Sequence, residues 1–132
     1  MKGVSLGIAV AVFGTAASAQ DQLSPDGFLD LAVGRTLSFS SSLTGNLIGS
    51  EQFLRRDLSV WADETGRCTY GRIVLRDHLI CFQYEDAPDP ENCWLPFIDG
   101  GTLLVMSQTS REVQRVTDIS DEPIVCEGAP LS

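Results

Sequence analysis

Beyond Lys2 the chain has no lysine, and it has a single histidine, His78. The first absence excludes Schiff-base chemistry, and the second leaves His78, beside Asp77 in a predicted turn, as the sole imidazole available to any base. No "GxSxG" elbow occurs, and the serine-rich "SFSSSLTG" reads as a strand end and loop. Cationic residues are scarce: without Lys2, eight arginines face eighteen acids, a formal charge of −10. Nucleic acid and anionic lipid surfaces are disfavoured as partners, since both need cationic patches. Zinc-type cysteine pairs are missing as well, the four cysteines lying 13, 12 and 33 positions apart. The acids Glu85, Asp86, Asp89 and Glu91 lack the glycine-centred spacing of an EF-hand, and two prolines interrupt them. No catalytic residue, cofactor or metal ligand set follows from the sequence.

The N-terminus, "MKGVSLGIAVAVFGTAASAQ", has the order of a secretory signal peptide. Lys2 supplies the charged region, Val4 to Phe13 the apolar region, and Ala17-Ser18-Ala19 a cleavage site before Gln20. The apolar run is shorter than the ~20 residues a membrane-spanning helix requires. Residues 1–19 are therefore expected to be removed, leaving residues 20–132 as one domain without a stable membrane anchor, periplasmic or secreted. In an oxidising compartment Cys68, Cys81, Cys93 and Cys126 read as two disulfides, for which three connectivities are open.

The pattern of residues 20–132 predicts an all-β fold. "SPDGFLDLAVG" gives one short helix, with Ser24 as N-cap, Pro25 in the first turn and Gly34 as stop. After it "RTLSFSS", "EQFLRR", "DLSVWAD", "CTYGRIVL", "HLICFQYE", "NCWLPFI", "TLLVMSQ" and "EVQRVTDI" read as strands, with "DGG" at 99–101 as a turn. A turn centred on Thr65-Gly66 sets Trp61 opposite Tyr70 and Val60 opposite Gly71. A second at Arg76-Asp77 sets Gly71 against Phe82, leaving room for that ring. Folding "HLICFQYE" and "NCWLPFI" about the proline-stiffened loop "DAPDP" brings Cys81 opposite Cys93, so that Cys68 pairs with Cys126.

In that register Leu58, Val60, Ile73, Ile80, Phe82, Trp94, Leu103 and Val105 share a core face. Trp61, Tyr70, Leu79, Leu95, Leu104 and Met106 share the other. The helix is the available cover for this second apolar face, and the expected architecture is an antiparallel meander sheet curling toward a small barrel or sandwich. Trp61, Tyr70 and Arg72 then stand either as an exposed binding platform or under a loop.

The segments "GRTLSF", "GSEQFL", "VWADETGRCTYGR", "LICFQYE" and "CW" resemble a family of small exported bacterial proteins of uncharacterised function. Its pattern runs Gly-x-Thr-Leu, Gly-x-Glu-x-Tyr/Phe, Trp…Cys-x-x-Gly-x-Trp, Cys-Phe-x-Tyr, Cys-Trp. The resemblance covers about residues 34–95, with Ile73 where such relatives often carry tryptophan and Phe53 where tyrosine is usual. It implies an exported β-domain and carries no catalytic residue.

The expectation is a monomeric, non-catalytic binding or interaction module. Its candidate surface is Trp61, Tyr70 and Arg72 with the acidic stretch Glu85, Asp86, Asp89 and Glu91, and a cationic protein is the partner that the charge fits. Two alternatives stand beside it: an inhibitor of a cationic secreted hydrolase such as lysozyme, and a small carboxylate-dependent hydrolase, for which the sequence cannot choose a pair of acids.

Overall fold

The computed structural model describes residues 2–14 and 20–127. The apolar side chains of Val4, Leu6, Ile8, Val10, Val12 and Phe13 are exposed and form no part of the core. The cleavage motif Ala17-Ser18-Ala19 lies outside the described residues. Among the described residues no helix is long and apolar enough to cross a membrane.

The elements run β1 (Gln20–Gln22), α1 (Pro25–Ala32), β2 (Thr36–Ser41), β3 (Leu47–Arg55), β4 (Leu58–Asp63), β5 (Cys68–Arg76), β6 (Leu79–Tyr84), β7 (Ala87–Asp99), β8 (Thr102–Ser107) and β9 (Val113–Ser120). From β2 to β9 each strand pairs antiparallel with the next, and β9 returns to pair with β2. The result is a closed, eight-stranded up-and-down barrel. The short β1 adds to β7, with Gln20 opposite Asp99. Closure removes the unpaired edges that an open meander of this length would expose.

The helix forms where the sequence places it. Ser24 Oγ accepts from the Gly27 amide at 3.0 Å, Pro25 opens the first turn, and Gly34 at φ +82° lets the chain leave. Its position differs from the expectation. Rather than covering the sheet's outer face, α1 turns Phe28, Leu29 and Ala32 into the core with Leu37, Phe39, Phe53 and Ile73. The Gly34 amide donates to Phe53 O at 2.8 Å, and Arg56 in the β3–β4 turn reaches Asp26 and Asp30 at 2.8 Å each. The helix therefore stoppers the barrel end where the β3–β4, β5–β6 and β7–β8 turns lie. The physical reason is closure: a closed barrel gathers the apolar stripe of every strand at its centre, so the most apolar surface left for α1 is the barrel's own mouth.

Part of the outer face is covered instead by the C-terminal tail. Thr36 Oγ1 donates to Glu122 O at 2.7 Å, the Ile124 amide to Gln52 Oε1 at 3.1 Å, and the Glu127 amide to Gly66 O at 2.9 Å. These contacts carry the tail across β2, β3 and β4 to the Cys68–Cys126 disulfide on β5. Val60 and Ala62, outward on β4 between the anchor points, are buried accordingly. The second disulfide is Cys81–Cys93, whose residues face one another directly across β6 and β7. All four cysteines are bonded, as the sequence register requires, and two disulfides place folding in an oxidising compartment.

The register departs from the sequence reading at two turns. Trp61 faces Thr69, and Val60 faces Tyr70. Asp63 causes this one-residue slip: its Oδ1 accepts from the Thr65 amide, the Thr65 hydroxyl and the Arg67 amide, and its own amide donates to Arg67 O. The loop is thus three residues, 64–66, ending on Gly66 in the left-handed region at φ +86°. One extra loop residue reverses every side chain of β4 relative to β5, sending Trp61 inward and Leu58 and Val60 outward. The next turn sits at Asp77-His78 and shifts pairing by two, which keeps the faces but sets Gly71 against Tyr84 and Ile73 against Phe82. The stretch expected as the loop "DAPDP" is mostly strand, β7 starting at Ala87. Its pairing with β6 still skips residues 88–91, where Pro88 and Pro90 lack amide hydrogens.

Candidate functional site: a barrel chamber with a buried carboxyl

Opposite α1, the barrel holds a chamber of about 500 Å³ opening between the β4–β5, β6–β7 and β8–β9 turns. Eight strands enclose space of this order, enough for one small ligand. Its wall combines aromatic rings with polar side chains, among them Asn92, Ser107 and Gln114. Phe28 and Phe82 line the chamber, each packed edge-on against the core ring of Phe53 at 5.6 and 6.2 Å between centroids, and Phe82 stacks on Tyr84 at 5.7 Å. Across the chamber Phe39 meets Trp61 at 6.2 Å, and Trp94 completes the lining from β7.

Two glycines make room for these rings. A Cβ at Gly49 would lie 2.4 Å from the Trp61 ring, and one at Gly71 would lie 2.8 Å from Tyr84 and 2.9 Å from Ser59 Oγ. Gly71 therefore leaves room for a ring as expected, but for Tyr84 rather than Phe82.

Glu51 sits among these aromatics, 2% exposed, where β3 faces Trp61. Ser59 Oγ donates to its Oε1 at 2.7 Å, and Tyr84 Oη donates to the same oxygen at 2.9 Å. Oε2 is buried and has no protein partner. Burial pushes the Glu51 carboxyl up to about 8, the Ser59 and Tyr84 hydrogen bonds opposing the shift without cancelling it. The Tyr84 phenol is held well above its ordinary value by burial and then by the neighbouring Glu51 charge. At pH 7 Glu51 is mostly a neutral acid, and it brings a carboxyl with one unpartnered oxygen into the wall of the chamber. Glu51 is the buried acid among the described residues, while Asp86 and Glu112 stand exposed at the rim.

The residues singled out in the sequence do not form one surface. Trp61 is in the chamber wall. Tyr70 and Arg72 point outward from β5, exposed. Glu85 and Asp86 make the β6–β7 turn, where Asp86 accepts from Thr69 Oγ1 at 3.0 Å at the chamber rim. Asp89 is exposed early in β7. Glu91 is engaged by Arg76 through Nη2 at 2.6 Å and Nε at 2.7 Å and by Gln83 Nε2 at 2.7 Å, and the Arg76 guanidinium holds its carboxyl below the usual range. Cys81, Glu91 and Cys93 bring ligand-type atoms within 4.8 Å of one another, but the two sulfurs are bonded to each other and leave no thiolate to coordinate a metal.

Sequence reasoning missed Glu51, Ser59 and Tyr84. One signal was present: Gly49, Glu51 and Phe53 share a parity on β3, so a strand that buries Phe53 also buries the acid. Gly49, Glu51, Phe53, Trp61, Gly71, Phe82, Tyr84 and Trp94, scattered through the motifs quoted above, all converge on the barrel interior. No family model, curated protein or solved structure matches this chain.

Proposed function

We propose that this chain is an exported, non-catalytic binding protein whose barrel takes up one small, largely apolar molecule through its open end. The observation that carries the reading is the chamber of about 500 Å³ whose wall includes Glu51, a buried acid with one carboxyl oxygen left without a partner. A hydrogen-bonding atom without a partner in an apolar interior costs about 1–3 kcal/mol, so a ligand that satisfies it gains both orientation and affinity. Export rests on the leader-like residues 1–19, with the periplasm or the exterior as destination. Carboxylate-dependent hydrolysis, which needs a pair of acids about the scissile bond, is the second reading, because Glu51 inside and Asp86 and Glu112 at the rim all line the chamber.

The chain's two tryptophans, Trp61 and Trp94, both line the chamber, so their indole N–H signals in an NMR spectrum report its contents. Addition of naphthylmethanol, a neutral aromatic of fitting size, should shift both signals saturably at one molecule per chain. Saturation that leaves both indoles unmoved would place the probe elsewhere and defeat the reading.

A further inference from the structure

We propose that the chamber is built for an organic ammonium, a primary amine on an apolar body, with its N–H groups on Glu51 Oε2 and its hydrocarbon against the aromatic wall. The inference rests on the chamber reading above and names its ligand class.

Three observations converge on a cation. First, the carboxyl is half satisfied in a specific way. Ser59 and Tyr84 both donate to Oε1, which fixes the carboxyl plane, while Oε2 is buried without a partner on a residue of the chamber wall. A charge-assisted N–H donor is the strongest complement for a desolvated carboxylate oxygen. Second, the charged lining has one sign. Glu51 stands inside and Asp86 and Glu112 at the rim, with no arginine, lysine or histidine in the wall among the described residues. A carboxylate ligand would meet repulsion with no counter-ion, and an ammonium would be drawn inward. Third, Trp61, Phe82 and Trp94 share the chamber wall with the acid, and aromatic rings attract ammonium groups where water is excluded.

Proton balance gives the site a recognisable signature. Glu51 titrates at about 8, so near pH 7 it is largely protonated while an alkylamine is an ammonium. Forming the ion pair releases one proton to solvent. Amine affinity should then rise about tenfold per pH unit from pH 6 and level off near pH 8. Tyr84 on β6 is the titratable group in contact with Glu51, and Asp86 and Glu112 are the charged groups facing the chamber from its rim.

The test compares naphthylmethylamine, naphthylmethanol and naphthoate, which share a ring system and differ in charge, by calorimetry and by the two indole signals at pH 6 and pH 8. At pH 8 the amine should bind at least tenfold tighter than the alcohol, with naphthoate weakest, and at pH 6 the advantage should shrink. Glu51→Gln should abolish the preference of the amine over the alcohol. Alcohol or naphthoate binding as tightly as the amine, with both indoles shifted, overturns the ammonium assignment and leaves the chamber reading standing. Failure of all three to move the indoles overturns both. The wild-type series decides even if Glu51→Gln does not fold.

Discussion

The two ends of the barrel are made of similar strands and do opposite things. At the stoppered end Phe28, Leu29 and Phe53 fill the interior with hydrocarbon, and the polar groups of α1 are satisfied by Ser24 and Arg56 at its surface. At the open end the same barrel leaves space, admits an acid to the interior and gives that acid two donors for one oxygen and none for the other. Since natural interiors satisfy most buried polar atoms, a well-packed end beside an under-satisfied one reads as division of labour: one end supplies stability and the other spends part of it on the proposed ligand site.

The contrast can be broken at either end, and the effects differ in size. Leu29→Ala, at the closed end and away from the chamber lining, should lower stability by about 2–5 kcal/mol in a urea titration, with naphthylmethanol binding retained. An unchanged midpoint would mean that α1 is not a stopper. Gly71→Val should cost about 1–3 kcal/mol and also release Tyr84 from Glu51, because the new side chain enters the Tyr84 ring position. Loss of stability with unaltered probe binding would separate Gly71 from the site.

The pH dependence isolates the open end further. Glu51 has its folded value raised from 4.5 to about 8, so only the folded state holds that proton between those values. Its contribution is full below about pH 4.5, falls by about 1.4 kcal/mol per unit as pH rises, and is lost above about 8. Glu51→Gln should remove this slope between pH 5 and 8; parallel profiles for the two proteins would show that Glu51 titrates normally. The smallest effect belongs to the rim. Asp86→Asn with Glu112→Gln should alter stability by less than about 0.5 kcal/mol and slow association of naphthylmethylamine at low salt, with rates converging at high salt. Equal rates at low salt would remove the rim from ligand capture.

The strands from β2 to β9 apart from the start of β7, the helix with its Ser24 cap, and Cys81–Cys93 were legible in the sequence because each depends on local pattern or on a single hairpin, and Cys68–Cys126 followed by elimination; β1 was not foreseen. What was not legible depended on one loop residue. Asp63 gathers three donors and lengthens the β4–β5 loop to three residues, and sequence periodicity carries no record of that. The slip exchanged Trp61 with Val60 and so hid the chamber, since a wall missing Trp61 looks like a filled core. Glu51 was hidden for a second reason. An acid in a strand is ordinarily placed toward solvent, and only closure of the barrel, a property of all eight strands together, shows that its side of β3 has no solvent to face.

The central claim is that Glu51 is a buried acid holding its proton near neutral pH inside a ligand chamber, and its carboxyl carbon reports this most directly. NMR titration of protein labelled at the glutamate side-chain carboxyls, with the Glu51 signal assigned by its disappearance in Glu51→Gln, should show one glutamate with a midpoint near 8. Addition of naphthylmethylamine should move that midpoint downward as the ion pair forms. A Glu51 midpoint near 4.5, unmoved by the amine, would contradict the account.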